Sequence, residues 1–269
     1  MSSSRSRPRA LITGASSGIG AAYAERLARD GYDVVLVARR RQRLEELAGR
    51  LRRDWNAQAE VLEADLTDAG ALAQVERRVA GDETLSLLIN NAGFGRYGAF
   101  VEIEPAAVDD LIDIHVRAVG RLTRAGLPGM VRRGAGGVIN VASLLALSGS
   151  MPPNPLPPRA VYAGAKAFMV AFTQALAGEL SGTGVRVQVC LPGLVATEFH
   201  TVQGMDLSQR PRMTAGDVVA ASLAAFARGE LMCLPGLDDA SLLERLAETQ
   251  RMVLGSANTP TLARRYQSA

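Results

Sequence analysis

Apolar residues along the chain alternate between two rhythms. Short unbroken runs recur at Arg9 to Thr13, Val34 to Ala38, Val61 to Leu66, Leu85 to Asn90, Gly137 to Ala142, Val185 to Leu191 and Leu231 to Leu234. Their length and continuity are those of parallel strands covered on both faces. Between them lie stretches of helical periodicity. Ile19, Ala22, Tyr23 and Leu27 form a stripe that stops at Gly31, and Leu44, Leu47 and Leu51 mark one face of a charged helix. Further helices are predicted over Ala69 to Ala80, Pro105 to Arg133, Ala160 to Leu180 and Ala215 to Arg228. Strand and helix alternate with short connections, which predicts an α/β fold: a doubly wound parallel sheet of about seven strands with helices on both faces. One domain is expected over 9–269 after a flexible leader at 1–8. Residues 144–161 and 199–213 break the rhythm after strands of the second half, on the sheet edge where such folds bind ligands, and are read as substrate loops or as decorative insertions.

Composition leaves this picture standing and removes alternatives. With 269 residues, 48% of them hydrophobic, the chain can bury a large core. No apolar run approaches the roughly 18 residues that cross a bilayer, and the start lacks an apolar signal region, so no membrane association is expected. Cys190 and Cys233 have neither disulfide nor metal-ligand spacing, which predicts no metal and a reducing cytoplasm. The formal charge is only +3, and basic residues interleave with acidic ones, as between Arg39 and Arg53. That pattern predicts solvated helix faces and no nucleic-acid partner.

The first strand runs into Thr13-Gly14-Ala15-Ser16-Ser17-Gly18-Ile19-Gly20 and then into a helix. Glycines let the backbone approach a pyrophosphate, and the helix N-terminus offers unpaired N–H groups, so a dinucleotide site is expected here rather than a mere tight turn. An NAD site would place a carboxylate at the end of the second strand. This chain has Val37-Ala38-Arg39-Arg40 there, and Asp33 lies at the opposite end of the strand. Either the arginines simply open a charged helix, or they hold a 2′-phosphate; the second reading predicts NADP(H) over NAD(H), with Arg39 as main contact and Arg40 as the weaker one.

Charge composition isolates one more residue. Of 30 basic side chains a single one is lysine, Lys166, and it falls four residues after Tyr162 on a helix. A chain that writes Arg for generic charge keeps Lys where guanidinium cannot serve. Tyrosine can protonate an alkoxide formed by hydride transfer, and an ammonium one turn away, together with the positive nicotinamide, is expected to lower its ordinary pKa of about 10 by about three units.

Together these motifs resemble the short-chain dehydrogenase/reductase family. The Thr13 to Gly20 turn, Asp65, Asn90-Asn91-Ala92-Gly93, Ser143, Tyr162-x3-Lys166 and Pro192-Gly193-Leu194-Val195-Ala196-Thr197 occur in family order over most of the chain. The resemblance implies a Rossmann-type fold and an oxidoreductase that interconverts a carbonyl compound and its alcohol. It implies Ser143, Tyr162 and Lys166 as catalytic residues, with Ser143 holding the substrate oxygen and Lys166 also the nicotinamide ribose. It implies cofactor contacts at Gly14, Ser16, Ser17, Gly18, Ile19 and Gly20, at Asp65 and Leu66 (adenine), and at Asn91, Ala92 and Gly93. Pro192, Gly193, Val195 and Thr197 would border the nicotinamide and the diphosphate, while Asn90 would brace strands. Family members form dimers or tetramers through two long helices, here Pro105 to Arg133 and Ala160 to Leu180, so a homodimer or homotetramer is expected, with Ala163, Gly164, Ala167 and Ala171 either permitting close approach of subunits or packing inside one subunit.

The chain departs from the family pattern in three places. His115 stands where many members carry an Asn that supports a relay water, and is read either as a water ligand or as a packed histidine. Ala165 replaces a common Ser before the lysine. The segment Met151 to Pro158 lengthens the interval from Ser143 to Tyr162; nearly uncharged, it is expected to cap the substrate pocket and to favour an apolar substrate. The competing reading is a non-catalytic nucleotide-binding sensor or scaffold on the same fold. Sugar-nucleotide epimerisation or dehydration on a related fold is a third.

Overall fold

The computed structural model describes residues 7–267, so most of the leader read at 1–8 lies outside the described residues. Seven strands form one parallel sheet: β1 (Arg9–Thr13), β2 (Asp33–Ala38), β3 (Ala59–Glu63), β4 (Leu85–Asn90), β5 (Gly136–Val141), β6 (Val185–Cys190) and β7 (Met232–Cys233). Their spatial order is β3-β2-β1-β4-β5-β6-β7. The order reverses between β1 and β4, and there the loops leaving the two strands diverge to opposite faces, opening the crevice where such sheets take ligands.

Side chains of each strand alternate between two cores. On β2, Val34 and Leu36 join one core and Val35 and Val37 the other. The first core is completed by Tyr23 and Leu27 of α1 (Gly18–Arg29), Leu44 and Leu47 of α2 (Arg41–Trp55) and Val218 and Val219 of α7 (Ala215–Ala227). The second takes Leu72 and Val75 of α3 (Ala69–Ala80), Leu122 of α5 (Ala118–Arg133) and Leu176 of α6 (Ala160–Glu179). Helix α6 is apolar and long enough by composition to cross a membrane, but about half of it is buried within the protein.

Most predicted elements occur within two residues of their expected bounds. Two are corrected. The third strand is not Val61 to Leu66: it begins at Ala59 and ends at Glu63, because its register on β2 pairs Val34 with Ala59 and runs out at Ala38 opposite Glu63. As the edge strand, β3 also lacks the continuous apolar character by which the others were recognised. The long helix from Pro105 to Arg133 is three pieces: α4 (Pro105–Ile112), a π-helical turn over Asp113–Arg117, and α5. Cys190 and Cys233, remote in sequence, are register partners on β6 and β7, both free thiols.

The chain divides into two compact units, one ending at Pro235 and one beginning at Gly236. The second contains an amphipathic helix, α8 (Ser241–Ala257), which the sequence reading did not predict. Loop 199–213 holds a short 3₁₀ turn at Thr201–Gln203 and is closed at its base by a bridge between Val195 and Met213.

Candidate active site

The glycine turn is built by its contacts. Gly14 has φ +68°, and a Cβ there would meet Asn91 Nδ2 and Ala92 Cα at 2.8 Å. Gly18, φ +56°, lies against the Thr197 methyl group. The end of β4 is stapled to the turn by Thr13, whose Oγ1 accepts from the backbone N–H of Asn91 and Ala92 at 2.9 and 3.0 Å. Asn91 returns the bond, donating from Nδ2 to the Thr13 carbonyl at 2.9 Å, so its amide braces the turn. Asn90 braces strands as expected, donating to Thr123 Oγ1 and Asn140 Oδ1. Helix α1 starts with no side-chain cap and no acidic residue in its first turn. Its first N–H groups thus remain available to an anion, and the cradle has the form a dinucleotide pyrophosphate requires.

The two arginines after β2 make different contacts. Arg39 is two-thirds exposed and reaches only Asp65, at 3.4 Å. Arg40 folds back over the turn: Nε and Nη2 donate to Ser16 Oγ at 3.1 and 2.9 Å, and Nη2 to Ser17 Oγ at 2.7 Å. Its Nη1 pairs with Glu198, which also takes Arg43 at 2.7 Å. Partial burial works to raise the Glu198 pKa, but Arg43, Arg40 and Ser17 outweigh it and hold the carboxyl at about 2. Asp65 is likewise an ionised carboxylate: burial opposes, but Thr67 donates N–H and Oγ1–H to Oδ1 at 3.0 and 2.8 Å and Arg39 lies beside it. The Leu66 side chain is buried in the second core, which leaves only its backbone for a ligand.

At the ends of β5 and β6 the remaining residues converge. Ser143 leaves β5 extended, and its Oγ accepts from Leu145 N–H at 3.2 Å. Pro192 accepts from Leu144 N–H at 3.0 Å, which ties the two loops together. Tyr162 is 4% exposed and ringed by aromatic groups: His115 edge-on at 5.5 Å, Tyr97 at 5.6 Å and Phe199 at 6.2 Å between ring centroids. Burial pushes its pKa well above 10, the neighbouring Tyr97 adds to this, and a hydrogen-bonding interaction with Ser143 opposes them. Lys166 is not among the groups that shift it here. Lys166 Nζ lies 5.8 Å from the Tyr162 ring centroid and donates to the Val141 carbonyl at 3.0 Å. Burial also pulls its own pKa down to about 7, so near neutrality it is only partly charged.

His115 lies in the π-helical turn, fully buried. Nε2 is 2.8 Å from the Phe94 carbonyl, an acceptor only, so the proton resides on Nε2 and Nδ1 presents a lone pair without a partner. Burial first, then the Lys166 charge, drives its pKa well below 6.5, against the Phe94 bond. The imidazole is therefore neutral. Gly93 owes its identity to this ring, because any Cβ would overlap His115.

A family model described as short chain dehydrogenase matches residues 8–207, more than half of the chain. The chain belongs to this family. Among solved structures, a short-chain dehydrogenase from Sphingobium yanoikuyae in complex with NADPH superposes with a TM-score of 0.91 at 38% identity, covering 96% of this chain and 100% of that one. A bulky-bulky ketone specific alcohol dehydrogenase from Comamonas testosteroni gives 0.87 at 34% identity, with 97% and 99% covered. An uncharacterised oxidoreductase of Staphylococcus epidermidis is 32% identical over 218 residues, 81% of this chain and 90% of that protein. Within this short-chain dehydrogenase, Tyr97, Phe199 and Glu198 shape the site yet were not among the residues singled out from sequence. Tyr97 follows the family's Asn-Asn-Ala-Gly segment by only four residues, a proximity that could have marked it.

Proposed function

We propose that this chain is an NADP(H)-dependent oxidoreductase that interconverts a bulky ketone and its secondary alcohol, with Tyr162 as proton donor and acceptor. The observation that carries the reading is a buried, neutral phenol beside Ser143, backed by Lys166 and walled by Tyr97, His115 and Phe199. When bound, the nicotinamide supplies or takes the hydride. Ser143 and Tyr162 hold the substrate oxygen, and in reduction the Tyr162 hydroxyl gives its proton to the developing alkoxide. Aromatic walls keep water from the reacting carbonyl. The two similar structures, one with NADPH and one acting on bulky ketones, support cofactor and substrate class. A sensor that only bound nucleotide would have no use for Ser143 beside the buried Tyr162 and Lys166. NADPH-coupled assays with diaryl and alkyl aryl ketones test the reading; no turnover across that panel would remove it.

For cofactor choice, we place Arg40 ahead of Arg39, because Arg40 already lies on the Ser16 and Ser17 hydroxyls. Arg40→Ala is expected to weaken NADPH by about tenfold or more and to leave NADH nearly unchanged, since a charge-assisted contact to phosphate contributes about 1.5–3 kcal/mol. Fluorescence titration with both cofactors reads the difference, and equal losses would refute a phosphate role.

His115 acts, in this reading, as a neutral wall with an acceptor nitrogen. His115→Asn is expected to keep kcat within about tenfold and to leave the pH profile unchanged near pH 6.5, where the wild-type ring does not titrate. A new or lost inflection there would show that the imidazole carries a proton during turnover. A homodimer or homotetramer is supported by Gly164 and Ala171, which are exposed on α6, whereas Ala163 is buried within the subunit.

A further inference from the structure

Glu198 joins the loop after β6 to the start of α2, across the glycine turn. Its chain neighbours fix where it stands. Thr197 lies with its methyl group against Gly18 of the turn, and Phe199 packs on the Tyr162 ring. The Glu198 side chain then reaches two arginines: Oε1 accepts from Arg40 Nη1, and Oε2 from Arg43 Nη1 at 2.7 Å. Ser17 gives the same carboxylate a further hydrogen-bonding interaction. Among the described residues, Glu198 is the sole carboxylate paired with either arginine.

This is an anion site filled by the chain's own carboxylate. Arg40 spends its Nε and Nη2 donors on Ser16 and Ser17 and one Nη1 donor on Glu198, so four of its five N–H groups are engaged. A phosphate gains a full grip on this guanidinium only where Glu198 yields. The exchange favours the phosphate. A partly exposed ion pair contributes little, because water competes for both charges. A carboxylate carries one negative charge on two oxygens, whereas a phosphate monoester carries about −1.5 to −2 at pH 7 on three. The two anions cannot share the arginines closely, since like charges at contact distance repel.

We propose that Glu198 is an internal stand-in for the 2′-phosphate of the cofactor: it occupies Arg40 and Arg43 in the free protein, the phosphate displaces it, and Arg43 becomes the second cationic contact of that phosphate. The inference rests on the NADP(H) reading above and adds to it a specificity-determining residue that works against the preferred cofactor. NADH, with a bare 2′-hydroxyl, has no need to break the bridge. Glu198 therefore holds the preference for NADPH below what the two arginines would give by themselves.

Isothermal titration of NADPH and NADH into the wild type and Glu198→Gln gives the ratio of their Kd values in each protein. That ratio cancels any effect of the carboxylate on the diphosphate, which both cofactors carry. It should shift toward NADPH by about threefold to tenfold in Glu198→Gln, mainly through tighter NADPH binding. Glu198→Ala should move it in the same direction, and adding Arg43→Gln to Glu198→Gln should take the gain back. An unchanged ratio, or a shift toward NADH, would overturn the proposal; the second result would mean that Glu198 holds Arg40 in place for the phosphate. Opposite shifts in the two Glu198 variants, or a gain that survives the loss of Arg43, would overturn it as well. If the wild type prefers NADPH and neither Glu198 variant raises that preference, this inference fails alone. If the ratio stays near one in every protein, the NADP(H) reading fails and this inference with it.

Discussion

Tyr162→Phe is expected to lower kcat for ketone reduction by about three orders of magnitude, within the range that a positioned acid contributes. The substitution removes one hydroxyl from a ring held on three sides by Tyr97, His115 and Phe199, so the packing of the phenyl group survives. Melting temperature and NADPH affinity should therefore remain near wild type, which separates loss of chemistry from loss of fold. Direction matters as well. Burial holds the phenol protonated at neutral pH, the form that gives a proton in reduction. Alcohol oxidation needs the phenolate, so its rate should climb with pH through the range where the reduction rate shows no tyrosine titration. A Tyr162→Phe enzyme retaining more than about a tenth of wild-type kcat would transfer this proton by another group.

The alternation of strand and helix was legible because each buried strand carries an unbroken apolar run, and each helix repeats its apolar face at the helical period. Where that signal weakens, the reading drifts. Strand β3, half exposed at the sheet edge, was displaced toward Leu66 by apolar residues that belong to the turn beyond it. The π-helical turn left no mark on periodicity, since five residues with Ile114 and Val116 among them fit either geometry. Glycines at the phosphate turn were legible for a different reason: positive φ at Gly14 and Gly18 is a local demand.

Residues whose part is set by remote partners were less accessible. Arg40 and Arg39 are adjacent in sequence, and only the fold shows that one returns to Ser16 and Ser17 while the other reaches outward to Asp65. Gly93 was attributed to cofactor passage, whereas its immediate constraint is the His115 ring in a helix that follows later. Arg159 was not singled out among the chain's arginines. It is buried and held by Ser148 and Met151, and among the described residues no carboxylate pairs with it. Charge in a sequence can be counted; whether that charge is buried and unpaired is a property of three dimensions.

Lys166 joins both kinds of information, and its replacement gives the second large effect. Lys166→Met should abolish most activity if, as proposed, the amine supports the reaction centre, yet the variant should be more stable than the wild type in mildly acidic solution. Burial lowers the Lys166 pKa from its ordinary 10.5 to about 7. Between those values the unfolded chain binds a proton that the folded chain does not, so stability rises with pH across this window. Below about pH 7 the folded protein bears the full cost of the buried ammonium, which a shift of this size puts at roughly 5 kcal/mol. Methionine removes that cost but leaves the Val141 carbonyl without its donor, a loss of about 1–3 kcal/mol. The net expectation is a gain of about 2–4 kcal/mol near pH 6 that falls away as pH climbs and turns, above about pH 10, into a loss the size of the missing hydrogen bond. Urea unfolding of both proteins across this range measures it, and a pH-independent difference would mean that the amine is not desolvated as its surroundings require. The same burial that makes this residue costly to the fold gives it a proton affinity near neutrality, which an arginine at the position would not have.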